Sequence, residues 1–185
     1  KDELETLFLY HEDIKKTITY IHYHIFKAID ILSQEKQIEP ELKEYPLEIR
    51  TLLLQAWEFE ENKQYLSALE NLLNIHKTYP EDTYILNGIC THYLWLHIEE
   101  KEKQYLDKAL QYALQLYELE PNNQDTNYTL SCIYSQKNEL DKSFNFLEKS
   151  FELGNSNYAW IMEDPDLKNL RIKFNLNDLI IKNEK

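Results

Sequence analysis

Histidines and clustered carboxylates are the residues of this 185-residue sequence whose types could support catalysis or metal binding. His22 and His24 lie two residues apart, so on a helix they point to different sides, and the five-residue spacing of His92 and His97 also favours no shared ligand. Acidic runs at 58–61 and 99–102 could supply paired carboxylates, but no nucleophile stands beside them. Solvated helix faces are the better interpretation of both runs.

The sequence motifs of common catalytic and cofactor sites are missing. HExxH, CxxC and GxSxG do not occur, and the two glycines, Gly88 and Gly154, cannot build a phosphate-binding loop. We therefore predict a protein that is not an enzyme and that uses no cofactor and no metal.

The composition predicts an all-α fold. Valine is absent, only 2 glycines occur, and Leu, Glu, Lys, Gln and Ile supply most of the chain, a set that favours helix over sheet. Tyrosine is common at 14 residues, which suits a packed helical array with large side chains between its layers. The length allows one ordinary domain or one short array of repeats.

The net charge of −13 restricts the class of partner. A negative field repels nucleic-acid phosphates and anionic lipids, and it favours a basic or apolar protein or peptide. A surface that merely keeps the protein soluble explains the same charge.

The sequence predicts a cytoplasmic protein without membrane insertion. No apolar run approaches the length of a membrane span, and Cys90 and Cys132 are too widely spaced for a disulfide framework, which favours a reducing compartment. Because the chain begins at Lys1 without Met, the sequence leaves open whether a leader or an anchor precedes it.

Apolar residues follow a heptad-like stripe near the start of the chain. Ile14, Ile18, Ile21, Ile25 and Leu32 belong to it, so we predict one long N-terminal helix at 1–36 that packs on the rest of the domain. Two prolines then bracket an acidic linker at 37–48. A decayed repeat over 15–46 is the alternative.

The segment from 49 to 155 repeats itself. Pro80, Pro121 and Asn155 close segments whose second helices carry a small residue twelve positions earlier. The interval from Pro121 to Asn155 is 34 residues, the period of a helix-turn-helix repeat. The small residues concerned are Ala68, Ala109 and Ser143.

This segment resembles a tetratricopeptide repeat (TPR) array. In the family pattern of a small residue, an aromatic, a second small residue and a closing proline, the first repeat has Ala56, Phe59, Ala68 and Pro80. The resemblance implies an all-α, right-handed α-solenoid of antiparallel helix pairs, with the long N-terminal helix before it and a capping helix after it. The implied segments are repeat 1 at 49–82, repeat 2 at 83–123 with lengthened helices, repeat 3 at 124–156 and a C-terminal cap at 157–185.

The C-terminal cap is recognised from Asp164-Pro165-Asp166-Leu167 followed by Leu170-Arg171, which is similar to endings that follow other TPR arrays. Asp164 before Pro165 is a good helix start, so we predict a short helix at 166–171 and a last amphipathic helix at 174–181. This segment would hide the apolar face of the last repeat from water.

The resemblance also implies a concave groove lined by the first helix of each repeat. By register, the groove residues are aromatic, acidic or polar, and Trp and Tyr are favoured interface anchors. They are Leu53, Trp57, Glu60, Glu61, Tyr84, Asn87, Thr91, Trp95, Asp125 and Tyr128. The alternative is that the N-terminal helix or the C-terminal cap fills this groove.

A non-catalytic protein-interaction module that binds a peptide or a partner helix is therefore the predicted function. TPR domains that clamp a C-terminal carboxylate use basic groove residues, whereas this sequence has Leu53, Trp57, Asp125 and Thr129 at those places, so we predict no carboxylate clamp. The alternatives are an oligomerisation or regulatory segment of a larger sensor or secretion component, and an antitoxin-like acidic binder of a basic protein.

Overall fold

The computed structural model describes residues 45–183. The predicted N-terminal helix at 1–36 lies outside these residues. Most of the predicted linker at 37–48 and almost all of the alternative, a decayed repeat over 15–46, also lie outside them. The chain divides into two compact units at Thr51 and Leu52. In the first unit, the described residues begin a helix in which the amides of Ile49 and Arg50 both donate to the Pro46 carbonyl at 3.0 Å.

The described part of the chain is all helical and contains no strand, which confirms the predicted all-α class for these residues. In order, the helices are α1 (Leu47–Glu61), α2 (Tyr65–His76), α3 (Thr83–Glu100), α4 (Lys103–Leu119), α5 (Gln124–Gln136), α6 (Leu140–Glu152), α7 (Tyr158–Glu163), a 3-10 turn (Pro165–Leu167), α8 (Lys168–Lys173) and α9 (Leu176–Asn183). None of the described helices combines the length and the apolar character that crossing a bilayer would need.

Helices α5 and α6 pack against each other through small side chains. In α5 and α6, Ser131 Oγ donates to the Ser143 carbonyl at 2.8 Å, and Ser143 Oγ donates to the Ser131 carbonyl at 2.7 Å. Moving back along α5 to Gln124 leads forward along α6 to Ser150, whose Oγ donates to the Gln124 carbonyl at 2.8 Å. These two helices therefore run antiparallel and cross where the side chains are smallest.

The same kind of turn ends α1, α5 and α6. Lys63, Asn138 and Gly154 have φ of 56°, 60° and 109°, and each amide donates to a carbonyl three residues back. The next amide in each turn donates to a carbonyl five residues back, as in a Schellman motif. Left-handed residues thus reverse the chain at three helix ends.

The helices of the lengthened middle segment are longer than their neighbours. α3 has 18 residues and α4 has 17, against 15 for α1 and 12 for α2. Only two residues, Lys101 with φ of 60° and Glu102, separate α3 from α4. The buried apolar core continues from α3 to α9 and includes Leu130, Leu147 and Leu167.

The short helix predicted at 166–171 begins as a 3-10 turn at Pro165–Leu167 and continues as α8. Asp164 Oδ1 accepts from the Asp166 amide at 2.8 Å, and α8 starts only at Lys168. The last helix starts at Leu176 instead of 174, because Phe174 has an extended backbone and Asn175 Oδ1 accepts from the Asn177 amide.

Gly154→Ala should lower the free energy of unfolding by about 1 kcal/mol, since the left-handed region penalises a residue with a Cβ. An added Cβ would meet only Gln124 Oε1 at 3.4 Å, so the cost is that of the backbone rather than of a clash. The measurement is the midpoint of urea unfolding at constant slope. The reverse change, Lys63→Gly, is the control and should leave the midpoint unchanged or raise it; a fall as large as that of Gly154→Ala would contradict this account.

Candidate functional site

A cavity of about 420 Å³ lies among α1, α2 and α3, and we call it the α1–α3 cavity. Its lining includes seven of the ten residues predicted from the sequence as groove residues. They are Trp57, Glu60 and Glu61 on α1, and Tyr84, Asn87, Thr91 and Trp95 on α3. Ala56, Leu72, Gly88 and His92 complete the described lining.

The other three predicted residues lie elsewhere. Leu53 is completely buried in the core, and Asp125 is exposed near the start of α5. The Tyr128 hydroxyl donates to Asp164 of the C-terminal segment. The structure therefore gathers the α1 and α3 parts of the predicted groove, while Tyr128 contacts the cap.

A close approach of α2 and α3 forms one wall of the α1–α3 cavity. A Cβ added to Gly88 would lie 3.1 Å from Leu72 Cδ1, closer than most Cβ contacts. Glycine at this position therefore lets the backbone of α3 approach Leu72 on α2.

Two aromatic side chains join α1 to α3 at the cavity. Trp57 Nε1 donates to the Tyr84 hydroxyl at 3.1 Å. Asn87 extends the contact to the next pair of helices, because Thr129 Oγ1 of α5 donates to Asn87 Oδ1 at 3.5 Å. Together these bonds hold the α1 and α3 side chains on the same cavity.

His92 lies in a cluster of three rings beside the cavity. Its ring centroid is 5.1 Å from that of Trp95 and 6.2 Å from that of Tyr65, and the Tyr65 and Trp95 centroids are 5.1 Å apart. The side chain is buried, with 3% of its surface exposed. Packing of this kind fixes the direction in which each ring nitrogen points.

The two nitrogens of His92 have different surroundings. Nδ1 lies 2.8 Å from the Gly88 carbonyl oxygen, which can only accept, so Nδ1 carries the proton. Nε2 lies 3.5 Å from Glu60 Oε2 and has no hydrogen bond from any described residue. Burial lowers the pKa of His92, against the opposing effects of the Gly88 carbonyl and Glu60, so the neutral ring is favoured near pH 7.

The cavity has a negative potential. Glu60 and Glu61 belong to the described lining, which contains no lysine and no arginine. Burial raises the pKa of Tyr65 at the edge of the cavity, and the carboxylates of Glu99 and Glu60 raise it further. Acidic and aromatic groups around a partly enclosed space favour a cationic ligand.

A second group of polar side chains lies between α5 and the C-terminal segment. One ligand atom from each of Cys132, Asp164 and Asp166 falls within 4.8 Å of the others, so these three could in principle hold a metal ion. Both Asp164 oxygens already accept hydrogen bonds, Oδ1 from the Asp166 amide and Oδ2 from Tyr128. Capping of the 3-10 turn and attachment to α5 account for this carboxylate without a metal.

Arg171 completes the attachment of the C-terminal segment. One guanidinium nitrogen donates to the Asp164 carbonyl at 2.6 Å and to the Ile161 carbonyl at 3.1 Å. Gln136 of α5 donates to the Asp166 carbonyl at 2.9 Å. The residues that carry the predicted capping motif thus bind one another and α5.

Several ionisable groups of this second site favour their neutral forms. Burial raises the pKa of the Tyr128 hydroxyl and of the Cys132 thiol, so neither ionises near neutral pH. Burial, followed by the neighbouring Asp164 carboxylate, raises the pKa of Asp166 to about 7. Asp166 therefore changes its charge within the physiological range.

Comparison of the sequence with protein-family models and with curated proteins finds no match.

Sequence reasoning missed His92 and Gly88 as members of the cavity. The five-residue spacing of His92 and His97 gives no indication of this position. A usable signal was present, because Gly88, His92 and Trp95 follow the four- and three-residue steps that place side chains on one helix face.

Replacing Asp166 by asparagine should stabilise the protein more at pH 8 than at pH 5. The unfolded chain ionises this carboxyl from its usual pKa of 3.8, whereas the folded protein keeps the proton until about pH 7. Unfolding therefore releases a proton between these values, and the wild-type protein loses stability as pH rises through this window. The variant lacks this loss. The difference in free energy of unfolding between the variant and the wild type should therefore grow in favour of the variant by about 2 kcal/mol from pH 5 to pH 8.

Urea unfolding at several pH values measures this difference. Asp178→Asn, which removes a carboxylate from an exposed position in α9, is the matched control for the loss of one negative charge. Equal pH profiles for the two variants would contradict the raised pKa of Asp166.

Proposed function

We propose that residues 49–155 form a TPR-like, right-handed solenoid of three antiparallel helix pairs and that the protein is a non-catalytic protein-binding module. Its ligand is a peptide or a partner helix, basic or apolar in character, held in a concave acidic and aromatic groove. The observation that carries the proposal is the cavity that gathers seven side chains predicted as groove residues from register alone.

Recurring local geometry supports the repeat interpretation. Lys63 and Asn138 make the same left-handed turn at corresponding places in the first and third repeats. Asp82 and Asn123 correspond as N-caps, with Asp82 accepting from the Ile85 amide and Asn123 from the Thr126 amide. Equivalent sequence positions thus have equivalent structural roles, as a repeat requires.

Small residues at the helix crossings give further support. Both members of each proposed crossing are buried, and their exposure does not exceed 1%. The three pairs are Ala56 with Ala68, Cys90 with Ala109, and Ser131 with Ser143.

The chemistry of the α1–α3 cavity supports protein binding over other classes of ligand. Trp57, Tyr84 and Trp95 offer large contact areas with few rotatable bonds, a property of interface anchors. Glu60 and Glu61 add negative charge to a chain whose net charge is already −13, which disfavours nucleic acid.

The C-terminal segment limits the length of the proposed groove. Its Asp164 accepts from Tyr128, and its Asp166 carbonyl accepts from Gln136, so these residues of α5 already have partners. A ligand would therefore bind mainly along α1 and α3, and a short segment of the partner would supply most of the contact.

Selection of a random-peptide display library on the full chain tests the proposed function. We expect enrichment of short sequences with basic and apolar residues, and at least a tenfold loss of affinity on Trp57→Ala, because the indole contributes to the cavity wall. Isothermal titration with the synthesised peptides measures the affinities at two salt concentrations. Binding should weaken at the higher salt concentration.

Two further variants keep the test independent of Trp57. Thr91→Arg places a long cation within the cavity and should also abolish binding, whereas Ile172→Arg, at a position that is 76% exposed on α8, is the matched control and should bind normally. Circular dichroism confirms that each variant folds. Peptides that bind all three variants as tightly as the wild type would overturn the groove assignment.

A further inference from the structure

The α1–α3 cavity contains two hydrogen-bond acceptors that face each other without a donor from any described residue. His92 Nε2 carries a lone pair, since the proton of the neutral ring is on Nδ1 beside the Gly88 carbonyl. Glu60 Oε2, 3.5 Å away, also accepts only. Two acceptors at this distance repel each other unless a donor lies between them.

A cationic donor satisfies this arrangement better than a neutral one. A positive group is attracted electrostatically by the carboxylates of Glu60 and Glu61 and by the faces of the nearby rings. Because Glu60 is half-buried, water screens this attraction less than it would at an exposed position. Protonation of His92 would also supply a donor, but burial of the ring disfavours the imidazolium. Among residues 45–183 no side chain supplies this donor, so a ligand is the source that we consider.

We propose that the α1–α3 cavity binds the guanidinium group of an arginine side chain in the partner peptide. This inference rests on the proposed function. Glu60 and His92 Nε2 accept two of its N–H groups, and its planar face lies against the aromatic lining. Arginine suits the site better than lysine, because its donors form a flat fork that reaches two acceptors while the same plane stacks on a ring. A volume of about 420 Å³ is ample for such a side chain.

Titration of the full chain with three small probes tests the proposal. They are N-acetyl-arginine amide, N-acetyl-lysine amide and the neutral isostere N-acetyl-citrulline amide. The readouts are the indole N–H resonances of Trp57 and Trp95 and the imidazole nitrogen resonances of His92. We expect saturable shifts with the arginine probe, at least fivefold weaker binding of the lysine probe, and no saturation with the citrulline probe.

Glu60→Gln should weaken binding of the arginine probe at least fivefold while the His92 resonances report an intact ring environment. Glu118→Gln removes the same charge from an exposed position outside the cavity lining and should bind like the wild type. Equal binding of arginine and citrulline, equal binding of arginine and lysine, or equal effects of the two substitutions would each overturn the proposal.

The outcome separates this inference from the proposed function. If selected peptides bind and Trp57→Ala abolishes their binding, but the arginine probe does not bind, the arginine site is wrong and the binding groove stands. If the arginine probe binds through Glu60 but no peptide does, the cationic site stands and the peptide-binding function is wrong.

Discussion

The close approach of helices at small buried side chains is the constraint on which the rest of the structure depends. In α5 and α6 the approach is near enough for Ser131 and Ser143 to exchange hydrogen bonds with each other's backbone carbonyls. A larger side chain at either place would push the helices apart and break both bonds. Ala56 of α1 is likewise small and buried, and it also lines the α1–α3 cavity.

Much of the fold could be predicted from the sequence because its determinants are local. Buried small residues such as Ala68 and Ser143, and N-caps such as Asp82 and Asn123, each need only their near neighbours to act. The lengthening of α3 and α4 was predicted because the segment at 83–123 is longer than the 34-residue period. The start of the last helix was not, because the extended backbone at Phe174 and the cap formed by Asn175 determine where α9 begins.

The candidate site was predicted in part, and the reason lies in what register can specify. Register indicates which face of a helix a side chain occupies, and it placed Trp57, Tyr84 and Trp95 on one cavity. It does not indicate what a later segment will cover, so it could not place Tyr128 beside Asp164. Nor could it identify His92, whose role depends on the Gly88 carbonyl and on a carboxylate 32 residues earlier in the chain.

The polar groups that attach the C-terminal segment and those of the α1–α3 cavity differ in whether they already have partners. Because Tyr128 is bonded to Asp164, its hydroxyl cannot serve a ligand without giving up a buried hydrogen bond. The acceptors of the α1–α3 cavity are in the opposite situation, since Nε2 of His92 gains a bond when a donor arrives. If the cavity binds a ligand as proposed, binding would be most favourable at these two acceptors, and a ligand without a donor would bury them against each other. The proposed site would then select for hydrogen-bond donors even where its aromatic walls accept many shapes.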